Sequence, residues 1–374
     1  MSYIWQEKNW PHFIYDETKA ENSYREYLYA SGKLDSIFSS IPYSAQESFI
    51  AESLSSETIA SSAIEGEHLQ YDSVFSSIMK QLDIDYSSKA KNDKYAENVS
   101  KVIFDAFSGN AMPTEERVFF WHRLLFESVP KAKAPKSIGE YRNEPVYILH
   151  LTGRGEQEII YEAPPCYRIN EEMDMLFRYI SEENEERSIV KSAIASFWLV
   201  SIHPFSDGNG RISRALADCI LSAMEQQKKH YYSISSAIAT DKNAYYSMLE
   251  KMQKHSGLDI TEWITWYIKL AVKAMDNATE TCKKKIRNSY IMQQIPSDML
   301  NSRQLHILYL LAEGSFKGKL TQEVWMKMVK CKSATATRDL ASLTEKKILI
   351  RIGTGSRSFQ YLLNPDFEDI IRKL

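Results

Sequence analysis

The sequence has little of what would place a protein outside the cell or in a membrane. Its four cysteines, Cys166, Cys219, Cys282 and Cys331, form no CxxC pair, which argues against a disulfide framework or a zinc site and favours a reducing compartment. No apolar run is long enough to span a bilayer. The N-terminus lacks the basic segment and apolar stretch of a secretory signal. We therefore expect a cytoplasmic protein with no membrane segment.

An excess of charge of one sign is also missing. The 374 residues carry a formal net charge of −3, with 44% hydrophobic and 25% charged residues, which is ordinary globular usage and excludes disordered and collagenous classes. This length predicts two or three domains. From residue 296 to the C-terminus, 13 Lys and Arg stand against 8 Asp and Glu. That excess fits a solvated surface about as well as a nucleic-acid face.

Glycine is sparse, with 13 residues in the chain, and helical periodicity dominates. Ser44–Leu82 predicts two helices that are broken near Glu65–Glu67. Further helices are predicted at Lys94–Phe107, Thr114–Ser128, Asn170–Ser181, Arg187–Ser201, from Gly208 to about Gln227, Ala244–His255 and Thr261–Lys285. Between these helices, Pro145–Tyr161 reads as a β-hairpin, with Thr152–Gly155 in its turn. Because two strands alone are marginally stable, we expect a flap that lies over a cleft.

The tail changes character. Asn301–Ala312, Gln322–Val329 and Ser333–Lys347 predict three helices, and Ile348–Asn364 predicts a hairpin with a turn at Gly353–Gly355. This is the element order of a winged helix-turn-helix. Arg287–Ser302 is the predicted linker. The expected fold class is therefore mainly α, with a hairpin flap and a C-terminal winged helix-turn-helix domain.

The segment His203–Arg214 combines residue types that suit phosphate chemistry. Gly208-Asn209-Gly210 precedes a helix, and the free amides and dipole of a helix start bind anions. Arg211 and Arg214 are three apart, so both guanidinium groups can reach polyphosphate oxygens.

Two further residues complete this set. Asp207 can bind Mg²⁺ beside phosphates, and His203 can take a proton from a hydroxyl. Taken singly, a histidine before proline usually ends a helix, and paired arginines usually face solvent. Together within twelve residues they predict nucleotidyl transfer.

This segment resembles the Fic-family motif HPFx(D/E)GN(G/K)RxxR at every position, and Gly139–Arg142, the hairpin and Pro164-Pro165 lie upstream of it in the family's order. The resemblance implies a mostly helical core and transfer of AMP from ATP to Ser, Thr or Tyr hydroxyls of proteins. It further implies a general base at His203, a Mg²⁺ ligand at Asp207, an anion hole for the α- and β-phosphates at Gly208, Asn209 and Gly210, a β-phosphate ligand at Arg211 and a γ-phosphate ligand at Arg214.

Two details refine this expectation. Some relatives have Lys at the position of Gly210 and act as kinases, so Gly210 favours AMP transfer. The flap would hold its target protein by strand addition, and Tyr147, Ile148 and Leu149 are the candidate edge residues.

Ser61–Gly66 resembles the family's inhibitory motif (S/T)xxxE(G/N). Ser61 and Glu65 lie one helical turn apart, and Gly66 suits a helix end. In the family this glutamate pairs with the second arginine, which implies a contact between Glu65 and Arg214. The six residues alone more often mark a surface glutamate at a helix end, and it is the main motif downstream that favours the inhibitory interpretation. The same glutamate could instead position water for removal of AMP.

The resemblance implies an N-terminal helical cap at 1–110 with an inhibitory helix at about 50–66 and a catalytic core at 111–290. The element order of the tail predicts a winged-helix-like domain at 297–374. The expected partners are ATP and a protein with a modifiable hydroxyl. A homodimer stays open, as does contact of the tail with DNA or protein through Thr335, Thr337, Arg338, Lys346, Arg351 and Arg357. The alternatives are a nucleotide-sensing transcriptional regulator and a Fic enzyme with another transfer.

Overall fold

A computed structural model describes residues 2–41, 43–84, 93–109, 111–151, 157–183, 186–225, 231–254, 257–293, 295, 299–313, 319–353, 359–367 and 369. These residues are mainly helical and contain two antiparallel hairpins, which confirms the predicted fold class. In the described part of the chain, no helix is both long enough and apolar enough to cross a membrane.

The helices and strands run in the following order. The helices are α1 (Glu17–Ser39), α2 (Tyr43–Ile64), α3 (Tyr71–Gln81), α4 (Lys94–Ala106), α5 (Glu115–Phe126), α6 (Ile169–Ser181), α7 (Ser188–Ile202), α8 (Asn209–Met224), α9 (Ile234–Ala239), α10 (Lys242–Gln253), α11 (Thr261–Gln293), α12 (Ser302–Glu313), α13 (Gln322–Val329) and α14 (Ser333–Glu345). The strands are β1 (Tyr147–Leu151), β2 (Gln157–Glu162), β3 (Leu349–Ile352) and β4 (Gln360–Leu363).

The chain divides into two compact units. The first comprises Met1–Ser36 with Pro42–Thr279, and the second comprises Ile37–Ile41 with Glu280–Leu374. In the first unit, α7 and α8 are buried along nearly their whole length, because α7 is apolar on all sides. The polar loop between them, residues 203–208, is therefore held between two buried helix ends. We call this segment the motif loop.

The second unit contains α12, α13, α14 and the β3–β4 hairpin, in the order predicted for a winged helix-turn-helix. Its core surrounds Trp325, which is fully buried. Arg303 pairs with the buried Asp339 through Nε and Oδ2 at 2.8 Å. Much of the predicted Gly353–Gly355 turn lies outside the described residues.

Three expectations about the helices were incomplete or wrong. α1 was not predicted, because its buried face consists largely of Ala20, Tyr27, Ala30 and Leu34 and small residues give a weak apolar period. α9 was missed because it is only six residues long. The linker predicted from Arg287 begins inside a helix, since α11 continues to Gln293.

Candidate active site

His203 is the first residue of the motif loop and ends α7 in a left-handed conformation, with φ 53° and ψ 57°. This conformation is uncommon outside glycine and often marks functional sites. The imidazole Nδ1 donates to the carbonyl of Val200 at 3.1 Å, so Nε2 is the unprotonated nitrogen of the neutral ring. Burial lowers the pKa of His203. The ring is thus neutral near pH 7 and has a lone pair on Nε2.

Arg142 fixes the backbone of the motif loop. Its Nε donates to the carbonyl of His203 at 2.7 Å, and its Nη2 donates to the carbonyl of Pro164 at 2.6 Å. Its own backbone N–H donates to the carbonyl of Pro204 at 2.9 Å. Because this guanidinium is buried, its bonds join the motif loop to the segment that carries the first hairpin.

Asn209 closes the motif loop with its side chain. Its Oδ1 accepts from the Phe205 N–H at 2.9 Å, and its Nδ2 donates to the Phe205 carbonyl at 2.8 Å. Phe205 itself is fully buried. Of Asn209, predicted as part of the anion hole, only the backbone N–H is therefore left to face a phosphate.

His122 supports the same loop and was not singled out from the sequence. Its Nε2 donates to the Asp207 carbonyl at 3.1 Å, its Nδ1 accepts from the Gly139 N–H at 2.9 Å, and its ring stacks on Phe205 at 4.2 Å. Burial lowers its pKa to about 4, so it stays neutral and keeps one donor and one acceptor. A lone histidine among apolar residues of a helix gives no sequence signal for this role.

The start of α8 has the geometry of an anion site. Gly208 has a φ of 81°, and a Cβ there would lie 2.9 Å from Cε2 of Phe126, so only glycine fits. Its N–H donates to Asp207 Oδ1 at 2.6 Å. That bond leaves the amides of Asn209 and Gly210, in the first turn of the helix, as the predicted phosphate donors.

Asp207 points outward from this helix start, and its side chain is 59% exposed. Within the described ranges, no three His, Cys, Asp or Glu side chains group as a ready-made metal site. Mg²⁺ commonly takes one or two protein carboxylates together with substrate phosphates and water. One open carboxylate beside an anion site therefore fits a Mg²⁺ ion that binds together with a nucleotide.

Arg214 lies one turn further along α8, and its side chain is 5% exposed. Its Nε donates to Ser61 Oγ at 3.0 Å, and its Nη2 donates to the Ser61 carbonyl at 2.8 Å. Nη2 also lies 2.9 Å from Glu65 Oε1. The structure thus brings the end of α2 onto the second arginine of the motif.

Glu65 also covers Gly210. A Cβ built on Gly210 would lie 2.1 Å from Glu65 Oε1, so the carboxylate rests directly on the first turn of α8. Gly66, with a φ of 84°, follows it and turns the chain away from α2. A carboxylate therefore occupies the place that the helix start would offer to a phosphate.

Arg211 pairs with a different carboxylate, that of Glu67, which the sequence did not reveal. Its Nη1 donates to Tyr95 Oη at 2.7 Å and to both carboxylate oxygens of Glu67 at 3.1 Å. The Tyr95 hydroxyl donates in turn to Glu67. Glu67 is two residues from Glu65, but Tyr95 reaches the site from α4, so no local pattern could indicate this contact.

The first hairpin lies beside the motif loop. β1 and β2 are antiparallel, with a bulge after Ile148, and the Tyr161 hydroxyl donates to the Ser201 carbonyl at 2.7 Å. Of the predicted edge residues, Tyr147 and Leu149 are 45% and 47% exposed, whereas Ile148 pairs with the buried Tyr161. The predicted turn at 152–155 lies outside the described residues.

Comparison with known proteins identifies the family to which the segment around the motif loop is similar. The Fic/DOC family model matches residues 113–221, and a domain of unknown function, DUF4172, matches residues 3–84. A Fic family protein from Desulfovibrio desulfuricans G20 is 21% identical with a TM-score of 0.53, over 91% of this chain and 96% of that chain. Fic-1 from C. elegans is 16% identical with a TM-score of 0.53, over 73% of this chain and 75% of that chain. At these identities the solved structures show a shared fold.

Proposed function

Because this chain is a Fic/DOC family protein with an N-terminal DUF4172 domain, we propose that it is a protein adenylyltransferase held inactive by its own Glu65. It transfers AMP from ATP to a Ser, Thr or Tyr hydroxyl of a protein, itself included. The observation that carries this proposal is the motif loop, which sets an unprotonated His203 Nε2 beside an anion-binding helix start. A sensor that binds a nucleotide without converting it has no need of such a base.

The chemistry follows from the side chains. The target oxygen attacks the α-phosphorus as His203 Nε2 takes the hydroxyl proton, and the bond to the β-phosphate oxygen breaks, releasing pyrophosphate. The first-turn amides of α8 stabilise the negative charge on the phosphate. Arg211 and Arg214 hold the β- and γ-phosphates. Mg²⁺, held by Asp207, would neutralise phosphate charge.

Inhibition follows from the position of Glu65. Its carboxylate occupies Nη2 of Arg214, with Ser61 on Nε. A γ-phosphate would meet a carboxylate where it needs a guanidinium, and ATP would bind with its α-phosphate out of line for attack. A charge-assisted hydrogen bond of this kind contributes about 1.5–3 kcal/mol. That is roughly 10- to 150-fold in the equilibrium between closed and open sites.

The test is incorporation of label from ATP into protein in the presence of Mg²⁺. Glu65→Gly should raise labelling from α-labelled ATP at least about tenfold above wild type, and Glu65→Gly with His203→Ala should abolish it. Glu47→Gly is the matched control, because Glu47 is exposed on α2, the helix that ends just before Glu65. A Glu65→Gly protein that incorporates no more label than wild type would contradict inhibition by Glu65. Labelling from γ-labelled ATP instead would indicate phosphate transfer.

The C-terminal unit could add contact with DNA. Thr337 and Arg338 are exposed near the start of α14, where a recognition helix contacts bases. Lys346, predicted to approach phosphates, donates to the Met299 carbonyl at 3.1 Å, and Arg351 stacks on Phe359. Arg357 lies outside the described residues. Among the described residues, the exposed start of α14 is therefore the main support for DNA contact. A homodimer stays a prediction.

A further inference from the structure

The guanidinium of Arg211 is bound on one edge and free on the other. Glu67 and Tyr95 both accept from Nη1, which is the nitrogen remote from the Nε–H. The opposite edge, formed by Nε and Nη2, is buried but makes no comparable hydrogen bond within the described residues. Nε has no hydrogen-bond partner within the described part of the chain, and Nη2 is 3.9 Å from Asp207 Oδ1.

The contacts on the bound edge form a consistent chain of donors. Burial raises the pKa of Tyr95, so its hydroxyl keeps its proton, accepts from Arg211 and donates to Glu67. The face of the guanidinium lies over the Phe126 ring at 5.2 Å. The side chain of Arg211 is 5% exposed. Its plane and its direction are therefore both fixed before a ligand arrives.

Arg214 shows the opposite arrangement. Its Nε–Nη2 edge, which is the fork that best fits phosphate oxygens, is covered by Ser61 and Glu65. The carboxylates of Glu65 and Glu67, two residues apart in the chain, thus act differently. Glu65 covers the binding edge of its arginine, whereas Glu67 supports its arginine from behind.

We propose that Glu67 and Tyr95 are positioning residues that aim the free Nε–Nη2 edge of Arg211 at the β-phosphate of the nucleotide. This inference rests on the proposed function for the identity of the ligand. The pair stays on Nη1 when the nucleotide is bound, because phosphate takes the other edge. Its loss would let the guanidinium turn, which weakens binding of nucleotides with a β-phosphate and spares AMP.

The test is equilibrium titration of AMP, ADP and ATP with Mg²⁺, on proteins that carry Glu65→Gly so that the site is open. Adding Glu67→Gln or Tyr95→Phe should weaken ADP and ATP binding roughly tenfold and leave AMP binding unchanged, as expected for one oriented charge-assisted hydrogen bond. The matched control is Glu97→Gln, since Glu97 lies on the same helix as Tyr95 and pairs with Lys101. Tyr95→Phe keeps the ring, so it tests the same bond if Glu67→Gln does not fold.

Three results would overturn the inference. Tighter ADP binding by the Glu67→Gln protein would mean that Glu67 competes with phosphate. Unchanged ADP binding would mean that Arg211 needs no support. An equal loss for AMP and ADP would indicate a general structural effect. The titration needs no group transfer, so a selective loss of ADP binding in a protein that labels nothing would refute the proposed function and leave this inference standing.

Discussion

Gly210→Ala separates steric contact from the ion pair at the start of α8. The added Cβ would lie 2.1 Å from Glu65 Oε1, 2.9 Å from its Cδ and 3.2 Å from Arg214 Nη1. The end of a glutamate side chain moves easily, so the overlap itself costs little. The displaced carboxylate, however, leaves Arg214 Nη2, which it now contacts at 2.9 Å.

The two effects of the substitution on the free energy of unfolding have opposite signs. Loss of the charge-assisted contact destabilises the folded state by about 1.5–3 kcal/mol. Alanine in place of glycine inside a helix stabilises it by about 0.5–1 kcal/mol. Gly210→Ala alone should therefore lower the free energy of unfolding by roughly 0.5–2.5 kcal/mol. In a Glu65→Gly background no carboxylate is left to displace, and the same change should stabilise by about 0.5–1 kcal/mol.

Thermal unfolding of wild type, both single variants and the double variant forms a double-mutant cycle. About 1 kcal/mol corresponds to roughly 2–4 °C for a domain of this size, so the reversal of sign is measurable as a shift of the apparent Tm. Equal destabilisation in both backgrounds would refute the reasoning, because it would show that Glu65 is not what the new methyl group meets.

Two further predictions concern the motif loop. Burial lowers the pKa of His203, so its imidazole stays neutral until the pH falls below the pKa of an ordinary histidine. The Glu65→Gly protein should therefore keep more than about half its pH 7.5 transfer rate at pH 6.5. A rate already halved above pH 6.5 would contradict this. Arg142→Ala leaves the carbonyls of His203 and Pro164 without their donor. Unfolding in denaturant should show a free energy of unfolding lower by about 2–6 kcal/mol. A loss under about 1 kcal/mol would show that water replaces the guanidinium.

The candidate site was predictable where it is local in the chain. The motif loop and the first turns of α8 lie within twelve residues, so helix geometry relates the two arginines and a short loop keeps His203 and Asp207 near them. Ser61 and Glu65 are likewise one turn apart. The roles of these residues stay predictions, but their grouping follows from spacing.

The supporting contacts were not predictable, because they join distant segments. His122 meets Asp207 across 85 residues, and Tyr95 meets Arg211 across 116. Nothing in the sequence near His122 or Tyr95 indicates a polar partner, and only packing of α4 and α5 against α8 decides it. The contact of the Lys346 ammonium with the Met299 carbonyl was not predictable for the same reason, and its approach to phosphate stays a prediction.

The first hairpin is attached at its root and exposed beyond it. Tyr161 is tied to the Ser201 carbonyl, next to His203, while Leu149 and its strand partner Ile159 are about half exposed. Changes at those two outer positions leave the bonds of the root in place. Under the proposed function, exchanges at these outer positions would change the protein target, while the bond between Tyr161 and the Ser201 carbonyl keeps the root of the hairpin in place.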